Sequence, residues 1–321
     1  MGSIDTTLQQ LNQLDSLGER LLTDQDIDFN AYSMDEEEGH KVKPAIDFYE
    51  QVSEYMLDPV SQQGLTLPWK QTHGCVGLRP GELSIWAGVN GHGKSMLLSH
   101  VMLHCQRQGA RICIASMEMK PVQTLARMTR QGTGGAMPRT DLIQKFLDSL
   151  QGFYLYDQQG TVQQNRMLAV VRFCRERLGV THFVIDSLMK CGMGTDDYTA
   201  QKNFVDKLST YAKDHNIHIH LVAHSRKTEN EFKQMGKFDV KGAGEITDMA
   251  DNVFTVWRNK KKEEKIEAGT ASDDERAMPD CVLRCDKQRH GEWEGKVGLW
   301  FNPQAMQYVS KNTRQVFDYL G

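Results

Sequence analysis

From Gly81 onward the chain alternates between short apolar runs and longer stretches whose apolar positions recur at helical spacing. The runs at 83–87, 111–115, 153–156, 182–186 and 218–223 are predicted strands; 94–108, 120–131, 140–150, 161–178 and 199–214 are predicted helices. A strand that is apolar at successive positions, as in Phe183-Val184-Ile185, is buried on both faces. The expectation is an α/β fold with a mostly parallel sheet and helices on both sides. Near the end the rhythm changes. Residues 252–258, 280–286 and 296–301 read as strands without long helices between them, and 259–279, polar and nearly balanced in charge, reads as an exposed loop.

The region before this domain is different. Met1 to Gly39 carries ten acidic residues and one basic one. Within it Leu8, Leu11, Leu14, Leu17 and Leu21 recur at near-helical spacing, which suits either a solvated arm or a short docking helix. Residues 44–56 form a second predicted helix with Ile46, Tyr49, Val52 and Met56 on one stripe, and 59–74 reads as a loop entering the main domain. The division expected is an acidic arm and linker helix over 1–60 and one α/β domain over 61–321.

Composition narrows the class. Charged residues are 25% and the hydrophobic set 39% of 321 residues, ordinary for a globular chain. No run approaches the ~18 apolar residues of a membrane span, and no secretory signal precedes the arm, so a cytoplasmic protein without a membrane partner is expected. Seven cysteines with no C-x-x-C pair read as reduced thiols. His215, His218 and His220 follow strand periodicity rather than a metal-ligand spacing. A net charge of −4 means that any nucleic-acid contact must be local.

The chemistry starts at Gly88-Val89-Asn90-Gly91-His92-Gly93-Lys94-Ser95, which matches G-x-x-x-x-G-K-[ST] between a predicted strand and a predicted helix. Glycines let backbone amides curl round phosphates, and the helix N-terminus adds partial positive charge. Gly88, Asn90, Gly91, His92, Gly93, Lys94, Ser95 and Met96 are the expected nucleotide-binding residues. Lys94 would reach the β and γ phosphates and Ser95 would ligate Mg²⁺. Asp186, at a strand end, is the expected second magnesium residue. Glu118 follows the strand 111–115 directly, where a carboxylate could activate water; a surface glutamate is the commoner case for such a position. His224 follows the strand 218–223, as a phosphate-sensing residue or as an ordinary strand-end histidine.

In their order these residues resemble the DnaB-like hexameric replicative helicases, and within them the helicase domain of phage primase-helicases and of mitochondrial Twinkle, over about residues 69–303. Met117-Glu118-Met119 resembles the element whose glutamate polarises water, Val184-Ile185-Asp186 the magnesium-binding strand, and Leu221-Val222-Ala223-His224 the strand ending in a sensor histidine. Val256-Trp257-Arg258-Asn259 resembles the element whose arginine packs on the nucleotide base. Lys287-Gln288-Arg289 resembles the K-x-R element that reaches into the neighbouring subunit's site, with Arg289 as the finger and Lys287 its support. Without the resemblance these two are merely a basic strand end.

The stretch from Ser225 to Gly244 resembles the central DNA-binding loop. Arg226, Lys227, Lys233, Lys237 and Lys241 face three acids there, with Gly242 and Gly244 giving flexibility. What the resemblance implies is a RecA-like P-loop NTPase with a short N-terminal helical arm, in a hexameric ring. It would hydrolyse ATP or dTTP with Mg²⁺, move 5′ to 3′ on single-stranded DNA in a central channel, and work with a primase or polymerase. The segment 45–56 would pack on the adjacent subunit. Two departures stand: these residues supply no primase half and no large N-terminal helical domain. A RecA or RadA-like strand-exchange protein and an NTP-switched loader or regulator remain the alternatives.

Overall fold

Strand β1 (Leu83–Gly88) is buried at all six positions, so it needs neighbours on both edges and cover on both faces. The computed structural model, which describes residues 44–58, 63–194, 196–224 and 243–320, supplies both. The other strands are β2 (Ile112–Ser116), β3 (Phe153–Leu155), β4 (His182–Asp186), β5 (His218–His224), β6 (Asn252–Arg258), β7 (Cys281–Gln288), β8 (Gly295–Asn302) and β9 (Gln307–Val309). Among the described residues they form one sheet in the order β3-β2-β4-β5-β1-β6-β7-β8-β9. The first six are parallel, and the last three are added antiparallel. This is the mostly parallel α/β fold that the apolar runs predict.

The described α-helices are α1 (Tyr49–Leu57), α2 (Lys94–Arg107), α3 (Pro121–Thr133), α4 (Thr140–Asp148), α5 (Gln164–Leu178), α6 (Tyr198–His215), α7 (Ala243–Met249), α8 (Lys260–Glu267) and α9 (Asp273–Ala277). Strand alternation divides the core into two layers. Leu83, Ile85 and Ala87 of β1 cluster with Val170 of α5 and Phe204 of α6. Trp86 points the other way and clusters with Leu97 and Val101 of α2. Each of the larger aliphatic or phenyl side chains contributes about 1.5–3 kcal/mol by leaving water. Helix ends carry their own signals: Asp197 caps α6 by accepting the Ala200 amide, and Asn216 stops it in the left-handed conformation.

Three features depart from the pattern-based expectations. Residues 259–279 are not a loop: they hold α8 and α9. The Asn259 side chain accepts the Lys262 amide, and Ser272 and Glu275 form a capping box. High polarity hid both helices, although the Ser-x-x-Glu spacing was there to read. Strand β9 is too short to show a period. The predicted helix at 44–56 begins as a 3-10 turn, Ala45–Phe48, before α1, and Ile46, Tyr49, Val52 and Met56 are all exposed. The leucine stretch Leu8 to Leu21 lies outside the described residues.

At the starting end of the parallel strands three buried histidines stack, His182 against His218 and His220. Trp86 Nε1 donates to His220 Nδ1 at 3.2 Å, so His220 carries its proton on Nε2 and gives it to His182 Nδ1 at 3.0 Å. His218 donates from Nδ1 to the Arg79 carbonyl and accepts the Ser84 hydroxyl on Nε2 at 2.8 Å. The network works with all three rings neutral. Burial lowers each ring's pKa, that of His218 to about 4.

A depressed histidine pKa means that the unfolded chain binds more protons below its own value near 6.5. Stability is therefore full above that pH and falls as pH drops towards the folded value. His218 alone should cost about 2 kcal/mol between pH 7.5 and 5. Denaturant unfolding at the two pH values checks this, and an unchanged midpoint would contradict the neutral ladder.

Candidate active site

The loop after β1 is shaped by close approaches. A Cβ on Gly88 would lie 2.4 Å from the Val256 carbonyl oxygen, so β6 can pair this closely only with glycine there. Gly93 has φ +82°, and a Cβ on it would meet the Tyr308 hydroxyl at 2.4 Å. Helix α2 starts at the next residue, which aims its free amides at the loop. Lys94 is buried, and its Nζ donates to the carbonyls of Gly88 at 2.9 Å and Val89 at 3.1 Å. Burial lowers its pKa to about 8, against the opposing charges of Asp186 and Glu118. Asn90 and Gly91 are exposed at the tip, while Met96 packs against the apolar core.

The neighbouring strand ends converge here. Asp186 ends β4 and is buried; burial raises its pKa, opposed by a hydrogen bond from Ser95 and by the charges of Arg127 and Lys94. In register, Ser116 of β2 lies beside Asp186, which brings the following Glu118 to the same edge. His224 pairs with Gly88 across β5 and β1. The fully buried Ser187 joins the set, its hydroxyl 3.3 Å from Glu118 Oε1 and 3.4 Å from His224 Nε2. Lys94, Ser95, Glu118, Asp186 and His224, far apart in the chain, are thus at one site.

Arg258 ends β6 on the other side of the loop. Its Nη1 lies 3.4 Å from the Gly91 carbonyl, its Nε pairs with Glu263 of α8 at 2.6 Å, and its amide donates to the buried His92 Nδ1 at 3.2 Å. Sequence reasoning missed Ser187, Arg127, Tyr308 and Glu263. Glu263 lay in the stretch read as a loop, and nothing in the pattern marked the other three. Among the described residues no group of three or more His, Cys, Asp or Glu is arranged to hold a metal.

Lys287 and Arg289 are elsewhere. Strand β7 runs antiparallel, with Cys281 beside Arg258 at the loop end and Gln288 beside Asn252 at the other. Asn252 in turn lies beside Ser84, at the start of β1. Along the strand Arg289 is therefore roughly 16 Å from Gly88, where the Lys94 ammonium sits, and Lys287, beside Val253, roughly 10 Å, each also two strands away across the sheet and beyond the reach of a side chain. There Lys287 Nζ donates to the carbonyls of Thr247 at 2.9 Å and Asp248 at 2.8 Å, and Arg289 pairs with Asp251 at 2.8 Å. Gly244 is exposed in α7, but Arg226, Lys227, Lys233, Lys237, Lys241 and Gly242 lie outside the described residues.

A glycine-rich loop from a buried parallel strand into a helix, with a lysine, a hydroxyl and a strand-end carboxylate at its mouth, defines a P-loop NTPase fold of the RecA-like kind. Residues 71–310 match the DnaB-like helicase C-terminal domain, and the chain belongs to that family. It is 23% identical over 207 residues to the DNA helicase/primase of Enterobacteria phage T3, a match covering 57% of this chain and 36% of that protein. The chain thus spans about a third of that relative's length. Among solved structures it resembles an ATPase domain, with a TM-score of 0.68 at 15% identity, covering 84% of this chain and 99% of that one. It also resembles a DnaB-like replicative helicase described with its interactions with primase, with a TM-score of 0.64 at 12% identity, covering 95% and 76%.

Gly93→Ala should cost about 2–4 kcal/mol, from left-handed strain and the clash with Tyr308. In a Tyr308→Phe background the cost should shrink by about 1 kcal/mol, because the hydroxyl has gone. Denaturant melts of the four proteins test the cycle; strictly additive losses would mean that the two groups do not meet.

Proposed function

We propose that this chain is the motor of a replicative DNA helicase, hydrolysing ATP or dTTP at interfaces between subunits. The observation that carries the reading is the separation described above. Lys94, Ser95, Glu118, Asp186 and His224 gather at one end of the sheet, while Lys287 and Arg289 sit at the other. Lys94 turns from its backbone carbonyls to the β and γ phosphates. Ser95 and Asp186, already hydrogen-bonded, are hard oxygen donors of the kind that suits Mg²⁺. When bound, the ion neutralises charge on the phosphates. Glu118 orients the attacking water, and Ser187 links it to the sensor His224. Arg258, beside Gly91, meets the nucleotide base.

Arg289 is too far to serve its own loop, which agrees with the family resemblance that makes it the finger for a neighbour's. A finger supplied in trans makes hydrolysis depend on assembly, and family likeness makes that assembly a ring, a hexamer. The basic stretch from Ser225 to Gly244 lines the central channel and grips single-stranded DNA, moving 5′ to 3′. The exposed stripe of Ile46, Tyr49, Val52 and Met56 packs on the adjacent subunit. Residues 1–60 form the arm and 61–321 the motor domain; a primase or polymerase is the partner, as the primase association of one structural neighbour suggests. No described helix is long and apolar enough to cross a membrane, and the phage relative suggests the host cytoplasm.

Glu118→Gln should keep nucleotide affinity while slowing hydrolysis about 10²–10⁴-fold. Nucleotide titration beside phosphate release measures both, and near-normal turnover would remove Glu118 from the chemistry. On a forked DNA, Arg289→Ala should abolish unwinding with assembly intact by light scattering. A wild-type protein that hydrolyses ATP and dTTP on single-stranded DNA yet never opens the fork would favour a strand-exchange or switch protein.

A further inference from the structure

Asp251 sits between α7 and β6 and is 1% exposed. Its two carboxylate oxygens have different partners. Oδ2 accepts the Leu83 amide at 2.9 Å, and Oδ1 lies 2.8 Å from Arg289 Nε as an ion pair. The backbone repeats the connection: the Asp251 amide donates to Leu83 O at 2.9 Å, and the Arg289 amide to Asp251 O at 2.8 Å. Leu83 opens β1, the strand that runs into this subunit's own nucleotide loop. Arg289 Nη2 also donates to the Asp248 carbonyl at 3.2 Å. One guanidinium nitrogen, Nη2, is hydrogen-bonded, Nε is ion-paired with Asp251 Oδ1 without an aligned hydrogen bond, and Nη1 has no partner among the described residues on a side chain 42% exposed.

We propose that Asp251 is a positioning residue for Arg289. Its buried charge, 2.8 Å from Nε, and the Asp248 carbonyl on Nη2 together keep the guanidinium at the strand end, with its outer edge free to reach the triphosphate of the adjacent subunit. The inference rests on the trans-finger reading above. An arginine on a strand end loses rotamer freedom when it docks, and a buried carboxylate removes that freedom in advance. The competing account is that Asp251 only anchors β1 and, through it, the nucleotide loop of its own subunit. The two accounts differ in which subunit feels its loss.

The test mixes full-length variants in pairs and measures NTP hydrolysis without DNA, so that sites need not fire in order. Lys94→Ala spoils the loop in cis, and Arg289→Ala spoils the finger. Mixing these two should restore hydrolysis at interfaces where an intact loop meets an intact finger. If it does not, the trans-finger reading itself fails. Given that control, Asp251→Asn should be about 10–100-fold slower than wild type in kcat, with the NTP KM within about 2-fold. It should regain activity when mixed with Lys94→Ala and stay slow with Arg289→Ala. Rescue by Arg289→Ala instead, or by both or neither, overturns the proposal. Should Asp251→Asn not assemble, Arg289→Lys decides: it keeps the charge but lacks the Nε paired with Asp251. It is expected to be as slow as Arg289→Ala, and near-wild-type turnover would overturn the proposal.

Discussion

A buried ammonium group must find charge and hydrogen bonds within the protein, and Lys94 is the constraint round which this structure closes. Its Nζ takes two carbonyls from its own loop, and Asp186 and Glu118 supply the opposing charge. Neither carboxylate is near Lys94 in sequence. They reach it because β1, β5, β4 and β2 are parallel and in register, so that Gly88, His224, Asp186 and Ser116 finish at one edge. A parallel sheet thus brings Glu118 and Asp186, 24 and 92 positions beyond Lys94, into one electrostatic unit with it. The burial of Asp186, which by itself raises its pKa, is tolerable for the same reason: Ser95, Arg127 and Lys94 all oppose the shift.

The other end of the sheet solves a different problem. Polar groups are buried there too, but the histidine ladder is neutral and satisfied ring to ring, with Ser84 and Asn252 extending it. Cations at this end include Arg79, paired with the buried Glu82, and at the rim Lys287 and Arg289, which meet the last carbonyls of α7. On the proposed reading, charge that faces a neighbour's triphosphate is carried at the surface, and charge that works on this subunit's own loop is carried inside. That division is what a protein assembled in a ring would need on the proposed reading, since each subunit then presents one end of its sheet to the next.

Much of this was legible in the sequence, for identifiable reasons. Doubly buried strands such as Phe183-Val184-Ile185 are continuous apolar runs, and the phosphate-loop motif fixes its own flanking elements. The role expected of Asp186 needed only a strand end and that of Glu118 the family resemblance as well; a parallel sheet brings the two strand ends together. What could not be read were contacts fixed by side-chain direction. Ser187 bridging Glu118 and His224, and the Tyr308 hydroxyl pressed against Gly93, depend on tertiary approach and leave no periodic trace. Asp251 is a similar case: its two-sided contact with Leu83 and Arg289 exists only once β1, β6 and β7 are paired.

The stretch 259–279 shows how a polar sequence can still be firmly placed. Lys262 of α8 is almost wholly buried, paired with Asp280 at 2.7 Å and bonded to the Met278 carbonyl. Asp280 also accepts Arg314 at 3.0 Å and the Phe301 amide at 2.8 Å, so one carboxylate fastens α8 to β8 and to the chain beyond β9. A lone exposed ion pair would contribute little, but a buried carboxylate with three donors constrains direction as well as energy. The direction matters because α8 carries Glu263, and Glu263 holds Arg258 against the Gly91 carbonyl. Any group arriving over the loop must share that guanidinium with Glu263. The insertion that looked like solvent-exposed filler therefore bears directly on how the site receives its ligand.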